Sequence, residues 1–238
     1  MLCLLLATLH ADAASAEVVL GRVQETAPLR SMLRDATRPT VPESAYREAA
    51  AGEVATGLVS VSGYTHKKAW GVAVLDVPIS RLWAAINDDR SKVEWTALDY
   101  LALLDGQYCQ APRRVFQFLP VPLLTDRWWV VDIGYNEAIA SASGGRVREQ
   151  TWRSTDGATL PPEAQAWADK GVPVASTRGG WLLIDLDGAS TLVEYYAWAD
   201  PGGSLPASIA NSFATSGIED TLKTFRNLAQ SGPTCPAR

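Results

Sequence analysis

Residues 191–229 read TLVEYYAWADPGGSLPASIANSFATSGIEDTLKTFRNLA. The run from Leu192 to Ala199 is rich in β-formers and stops at Asp200-Pro201-Gly202-Gly203, where a proline and two glycines supply the backbone angles of a turn. Beyond the turn Ser204 can cap a helix, and Pro206 sits where a first-turn proline forfeits no hydrogen bond. Ile209, Phe213, Gly217, Ile218, Leu222, Phe225 and Leu228 then recur at helical steps. The pattern predicts a strand, a turn and a long helix whose one apolar stripe must be buried, and the β-rich remainder of the chain offers a sheet for it.

Upstream, residues 54–77 alternate around Gly57, Gly63 and Gly71, with a turn at 64–68, which predicts a β-hairpin. Pro78 opens a helix over 79–87 with Ile79, Leu82, Trp83 and Ile86 on one face. The charges that follow, Asp88, Asp89, Arg90 and Lys92, read as its solvated end. Strands are expected at 97–104, 114–119, 127–135, 147–154, 180–186 and 192–199, joined as an antiparallel meander. Between 155 and 179 the pattern is less regular, with a helix expected at 162–170. Residues 17–52 have a polar helical pattern broken by Pro28, Pro39 and Pro42, which predicts one or two short helices packed outside the core.

Alternation assigns faces. Turning Asp132 toward water puts Trp129, Val131 and Ile133 inside. Turning Glu194 outward, with Leu192, Tyr196 and Trp198, leaves Val193, Tyr195, Ala197 and Ala199 inside. Likewise Leu182, Ile184 and Leu186 oppose Asp185 and Asp187. Small Ala197, Ala199 and Gly217 beside large Trp129 and Phe213 suit a pocket, but periodicity alone serves a solid core equally well.

The run from Asp200 to Pro206, followed by Ile209 and Asn211, resembles the last strand and start of the closing helix of START (StAR-related lipid-transfer) domains. The resemblance reaches back to about Glu53, through Val77-Pro78 and the segment from Leu119-Pro120 to Arg127. It implies an α+β helix-grip fold, a curved antiparallel sheet wrapped around a long C-terminal helix, with one lipid-like molecule held between them. It also tips the choice toward a pocket, with Trp129, Val131, Ile133, Leu182, Ile184, Val193, Tyr195, Ala197, Ile209, Phe213 and Gly217 as ligand-binding residues. Sterol-binding members of the family carry an ionisable pair in the cavity, and the position matching its arginine is Ile133 here. The polar end of a ligand therefore needs another partner, with Tyr195, Arg178 and Thr151 as candidates, and a sterol preference does not carry over.

The chain is expected to divide into a signal peptide at 1–16, a helical arm at 17–52, the START-like domain that the resemblance implies at 53–231 and a tail at 232–238. The first segment, MLCLLLATLHADAASA, joins an apolar run to Ala14-Ser15-Ala16, a small-residue site for cleavage before Glu17, so export to a periplasmic or extracellular location is expected. Cys109 and Cys235 would remain, either bonded, as an oxidising compartment favours, or as two free thiols. The run Phe118-Leu119-Pro120-Val121-Pro122-Leu123-Leu124 is too rich in proline for a central strand. It reads as a greasy loop at the cavity mouth that makes transient membrane contact, or as a loop packed on the domain.

The net charge of -5 supplies no field for nucleic acid, and the 238 residues include nine tryptophans, large stiff surfaces suited to cavity walls. His66, the lone histidine after the leader, lies in a turn beside Lys67 and Lys68, and no spacing suits a metal or a dinucleotide. The expected partner is a hydrophobic small molecule or lipid, bound by a monomer without cofactor. The alternative is a cyclase or hydrolase acting on a hydrophobic substrate in the same cavity.

Overall fold

The computed structural model describes residues 15–202 and 207–237, with backbone only for 207–216. The expected signal peptide, apart from Ser15 and Ala16, lies outside the described residues, as do Gly203, the cap Ser204 and Pro206. The strands are β1 (Ala55–Val59), β2 (Lys68–Leu75), β3 (Tyr100–Asp105), β4 (Arg113–Leu119), β5 (Arg127–Tyr135), β6 (Val147–Ser154), β7 (Val172–Pro173), β8 (Ser176–Asp185) and β9 (Thr191–Asp200). The helices are α1 (Ala16–Thr26), α2 (Glu43–Ala50), α3 (Ile79–Ile86), α4 (Asp89–Trp95), α5 (Glu137–Ala142), α6 (Pro162–Ala168) and α7 (Ala207–Ser231), with a 3-10 turn (Ala27–Met32) after α1.

Eight strands pair antiparallel in the order β1-β2-β9-β8-β6-β5-β4-β3, and the short β7 runs parallel to the start of β5. Because β9 lies between β2 and β8, the strand that leads into α7 is central, and the helix returns across its own sheet. Ile218, Leu222, Phe225, Leu228 and Ala229 of α7 are buried against β2, β8, β9 and α3, each large side chain contributing about 2 kcal/mol. A Cβ at Gly71 would stand 2.2 Å from Ile218 Cγ2, so glycine is what lets the helix seat on β2. This is the helix-grip arrangement expected from the closing segment.

The N-terminal helices are not peripheral to the core. Val19 of α1 and Tyr46 and Ala49 of α2 bury a second apolar layer on the sheet's other face, with Leu182, Ile184, Leu192 and Tyr196. Alternation turns Leu192, Glu194, Tyr196 and Trp198 toward water, yet all are buried. Glu194 is neutralised in place: Arg30 Nη1 donates to its Oε2 at 3.1 Å, Tyr46 Oη to its Oε1 at 2.9 Å, and Arg38 Nε lies 3.5 Å from Oε2. At the other end of this face α6 covers Phe116, Phe118 and Val130.

The charges after α3 also depart from the solvated end expected of them. Of these only Arg90 is exposed: Asp88 caps a further helix, α4, and Asp88, Asp89 and Lys92 are buried. The chain end reaches this corner too, where Thr234 donates to Asp88 through its N–H at 2.6 Å and its hydroxyl at 2.7 Å. Cys235 is bonded to Cys109, with 5.5 Å between the Cα atoms.

Candidate ligand-binding cavity

The sheet face under α7 does not close into one core. A cluster around Leu75, Trp181, Leu183, Val193 and the α7 side chains is separate from one around Val115, Val131 and Ile133, with Trp152 packed against both. The cavity of about 260 Å³ lies where they fail to merge. Its wall comes from Gln117 and Leu119 of β4, Trp129, Val131 and Ile133 of β5, Gln150 and Trp152 of β6, Trp181 of β8 and Tyr195 of β9. Thr221 and Phe225 of α7, Ile86 of α3, Lys92 of α4 and the loop at 96–98 complete it.

The aromatic groups brace one another. Trp181 meets Tyr195 at 4.2 Å between ring centroids and Phe225 edge-on at 5.2 Å, and Trp152 stacks on Tyr195 at 5.8 Å. Trp152 lies across its cross-strand partner Gly179, where a Cβ would stand 2.2 Å from Cζ2. Trp129 is oriented by a hydrogen bond from Nε1 to Gln117 Oε1, 2.6 Å. The Tyr195 hydroxyl has no partner among the described residues, and burial alone pushes its pKa well above the ordinary phenol range.

The cavity has a greasy end and a polar end. Leu119, Trp129 and the 96–98 loop lie where β4 leaves the sheet, and the apolar loop that follows exposes Leu123 fully and Leu124 in part. Leu123 has φ 65°, a left-handed conformation that residues other than glycine resist. Arg127, just after the loop, donates from Nε to Pro201 O at 2.8 Å, tying it to the link between β9 and α7.

At the opposite end Asn87 Oδ1 accepts from Gln150 Nε2 at 2.6 Å, Tyr135 Oη at 2.8 Å and Arg113 Nη1 at 3.2 Å. Asp89 is gripped by Arg113 and Lys92. Burial works against its ionisation, but those two cations outweigh it and hold its pKa below the usual carboxylate value. Lys92 is shifted down by burial, with Asp89 opposing.

Among the residues singled out from sequence, Trp129, Val131, Ile133 and Tyr195 line the cavity. Val193 shares their face but is packed solidly under α7, and Ala197 is half-buried on the same face. Leu182 and Ile184 are corrected: they point away from α7 into the layer under α1 and α2, and Trp181 and Leu183 take the inner places. Gly217 is exposed, with nothing within 4 Å of where its Cβ would stand. The side chains of Ile209 and Phe213 lie outside the described ones. Of the candidate polar partners, Tyr195 is in the wall, while Arg178 and Thr151 line a groove on the other face.

Sequence reading missed Lys92, Gln150, Trp152, Trp181 and Phe225 as a wall. The signal for Trp181 lay in the turn after β8. Asp185 pairs with Thr191 across it, so Leu182 pairs with Glu194 and must share its face. Among the described residues no group of three or more His, Cys, Asp or Glu could hold a metal, and no helix is long and apolar enough to cross a membrane.

No protein-family model and no curated protein matches the chain. Solved structures do. A fragment of a STAR-related lipid transfer protein from Xanthomonas axonopodis superposes with TM-score 0.61 at 19% identity, over 74% of this chain and 93% of that one. Human STARD10 gives 0.63 at 16% identity, over 87% and 79%. Human StAR-related lipid transfer protein 5 gives 0.59 at 12% identity, over 91% and 96%. At these identities the likeness is one of fold: the chain has a START-like helix-grip fold, the class its closing segment pointed to.

Proposed function

We propose that this protein binds a hydrophobic small molecule of the lipid class in the cavity beneath α7 and shields it from water during transfer. The observation that carries the reading is the aromatic-walled space left between the gripping sheet and the last helix. Burial of apolar ligand surface, worth about 25 cal/mol per Å², supplies the driving force. The superposable proteins named as lipid transfer proteins support it at the level of fold. The loop after Leu119 is the proposed gate: its exposed leucines would touch a membrane and let the ligand pass as the loop yields. The protein would work as an exported monomer in the periplasm or outside the cell, a location that the Cys109–Cys235 bond favours.

Two measurements test the proposal together. Mass spectrometry of the natively purified protein is expected to release one hydrophobic compound per chain. Titration with apolar fluorescent lipids is expected to shift the tryptophan emission saturably. No released compound and no saturable shift with any lipid class would overturn it.

A further inference from the structure

The polar end of the cavity carries a charge that the apolar reading does not use. Lys92 is 8% exposed, and its Nζ donates to Asp89 Oδ1 at 2.7 Å, one of the three N–H bonds an ammonium can make. Asp89 is shared: Arg113 holds the same carboxylate from Nε to Oδ2 at 2.6 Å and from Nη2 to Oδ1 at 3.2 Å. Asp88 is turned toward Ser91 and Thr234, which occupy both of its oxygens. Of these four charged groups only Lys92 is in the cavity wall, and no Asp or Glu lines the cavity among the described residues. The other polar wall groups, Gln150, Gln117, Thr96, Thr221 and Tyr195, are neutral. A buried ammonium whose one carboxylate partner is shared with Arg113 leaves this corner with an excess positive charge, which a second anion beside Lys92 would balance.

We infer that the ligand is a single-chain or compact amphiphile with one carboxylate head, which accepts hydrogen bonds from Lys92 Nζ while its apolar body lies along Trp129, Trp181 and Phe225. This rests on the cavity being the binding site. The size points to a small ligand: a space of about 260 Å³ falls just below the usual range of ligand sites, which run from about 300 to 1,000 Å³. A two-chain lipid would not be enclosed.

Dodecanoate and dodecanol, which share a chain and differ in the head, separate the possibilities when titrated against the full chain by tryptophan emission. The wild type is expected to bind the acid at least about tenfold more tightly, the strength of a charge-assisted hydrogen bond. Lys92→Met is expected to bring the ratio close to one, whereas Lys92→Arg keeps a preference for the acid. Lys223→Gln, at an exposed pair with Glu219, leaves the ratio as it was. Equal wild-type affinities, or a ratio preserved in Lys92→Met, would overturn the carboxylate assignment and leave the cavity standing as a site. Binding of neither probe would overturn both. Should Lys92→Met fail to fold, the wild-type comparison decides alone.

Discussion

Leu182 stands directly opposite Glu194 across β8 and β9, and both side chains look away from α7 into the layer beneath the N-terminal helices. One apolar and one charged residue therefore occupy adjacent buried places, and only Arg30, Arg38 and Tyr46 make the second tolerable. Glu194→Ala leaves the buried guanidinium of Arg38, and the part-exposed one of Arg30, without their carboxylate. A loss of about 3 to 5 kcal/mol in urea unfolding is expected, with ligand affinity of the folded fraction unchanged, since the residue is on the far face of the sheet.

The same carboxylate shapes the response to acid. Burial opposes ionisation of Glu194, but hydrogen bonds and charge from Arg30 and Arg38 prevail, so its folded pKa lies below the ordinary value; Asp89 behaves likewise. A depressed carboxylate stabilises the fold above its unfolded pKa and ceases to do so as pH falls through the folded one. Stability should hold at neutral pH and decline below about pH 4, near the unfolded values of Asp and Glu. Urea midpoints across that range should fall less steeply in Glu194→Ala than in the wild type.

The Cys109–Cys235 bond spans 126 positions. Cross-linking so long a segment lowers the entropy of the unfolded chain by an amount worth about 5 kcal/mol on the chain-entropy account. Reductant, or Cys235→Ser, is expected to lower the unfolding free energy by several kcal/mol. An unchanged denaturation midpoint would show that the bridge contributes nothing.

Leu123 is both fully exposed and left-handed. Leu123→Gly relieves the backbone but adds freedom to the unfolded chain, so stability should move by less than about 1 kcal/mol. If the loop is the gate, lipid transfer between vesicles should nevertheless slow several-fold. Transfer at the wild-type rate would remove the leucine from the mechanism.

Much of this architecture is legible in the residues. The strand, turn and helix at the chain's end stand out because two periodicities meet at a proline and glycines, and Asp132 correctly orients Trp129, Val131 and Ile133 because it really is half exposed, paired with Arg114. The rule fails for β8, where Asp185 is polar on account of the turn: its Oδ1 accepts from Gly188 N at 2.8 Å and says nothing about a face. In β9 the apolar Leu192, Tyr196 and Trp198 were themselves the sign of a second covered face. The charges at 88–92 could not be placed from sequence, because the groups that make their burial tolerable, Arg113 and Thr234, arrive from far along the chain.

The residues after α7 are small in number but not ornamental. Thr234 and Cys235 reach back to Asp88 and Cys109, on either side of the corner that holds Asn87 and Lys92. A protease cut ahead of Thr234 would leave the short tail held to Cys109 and Asp88, yet sever the chain that joins that corner to the end of the gripped helix.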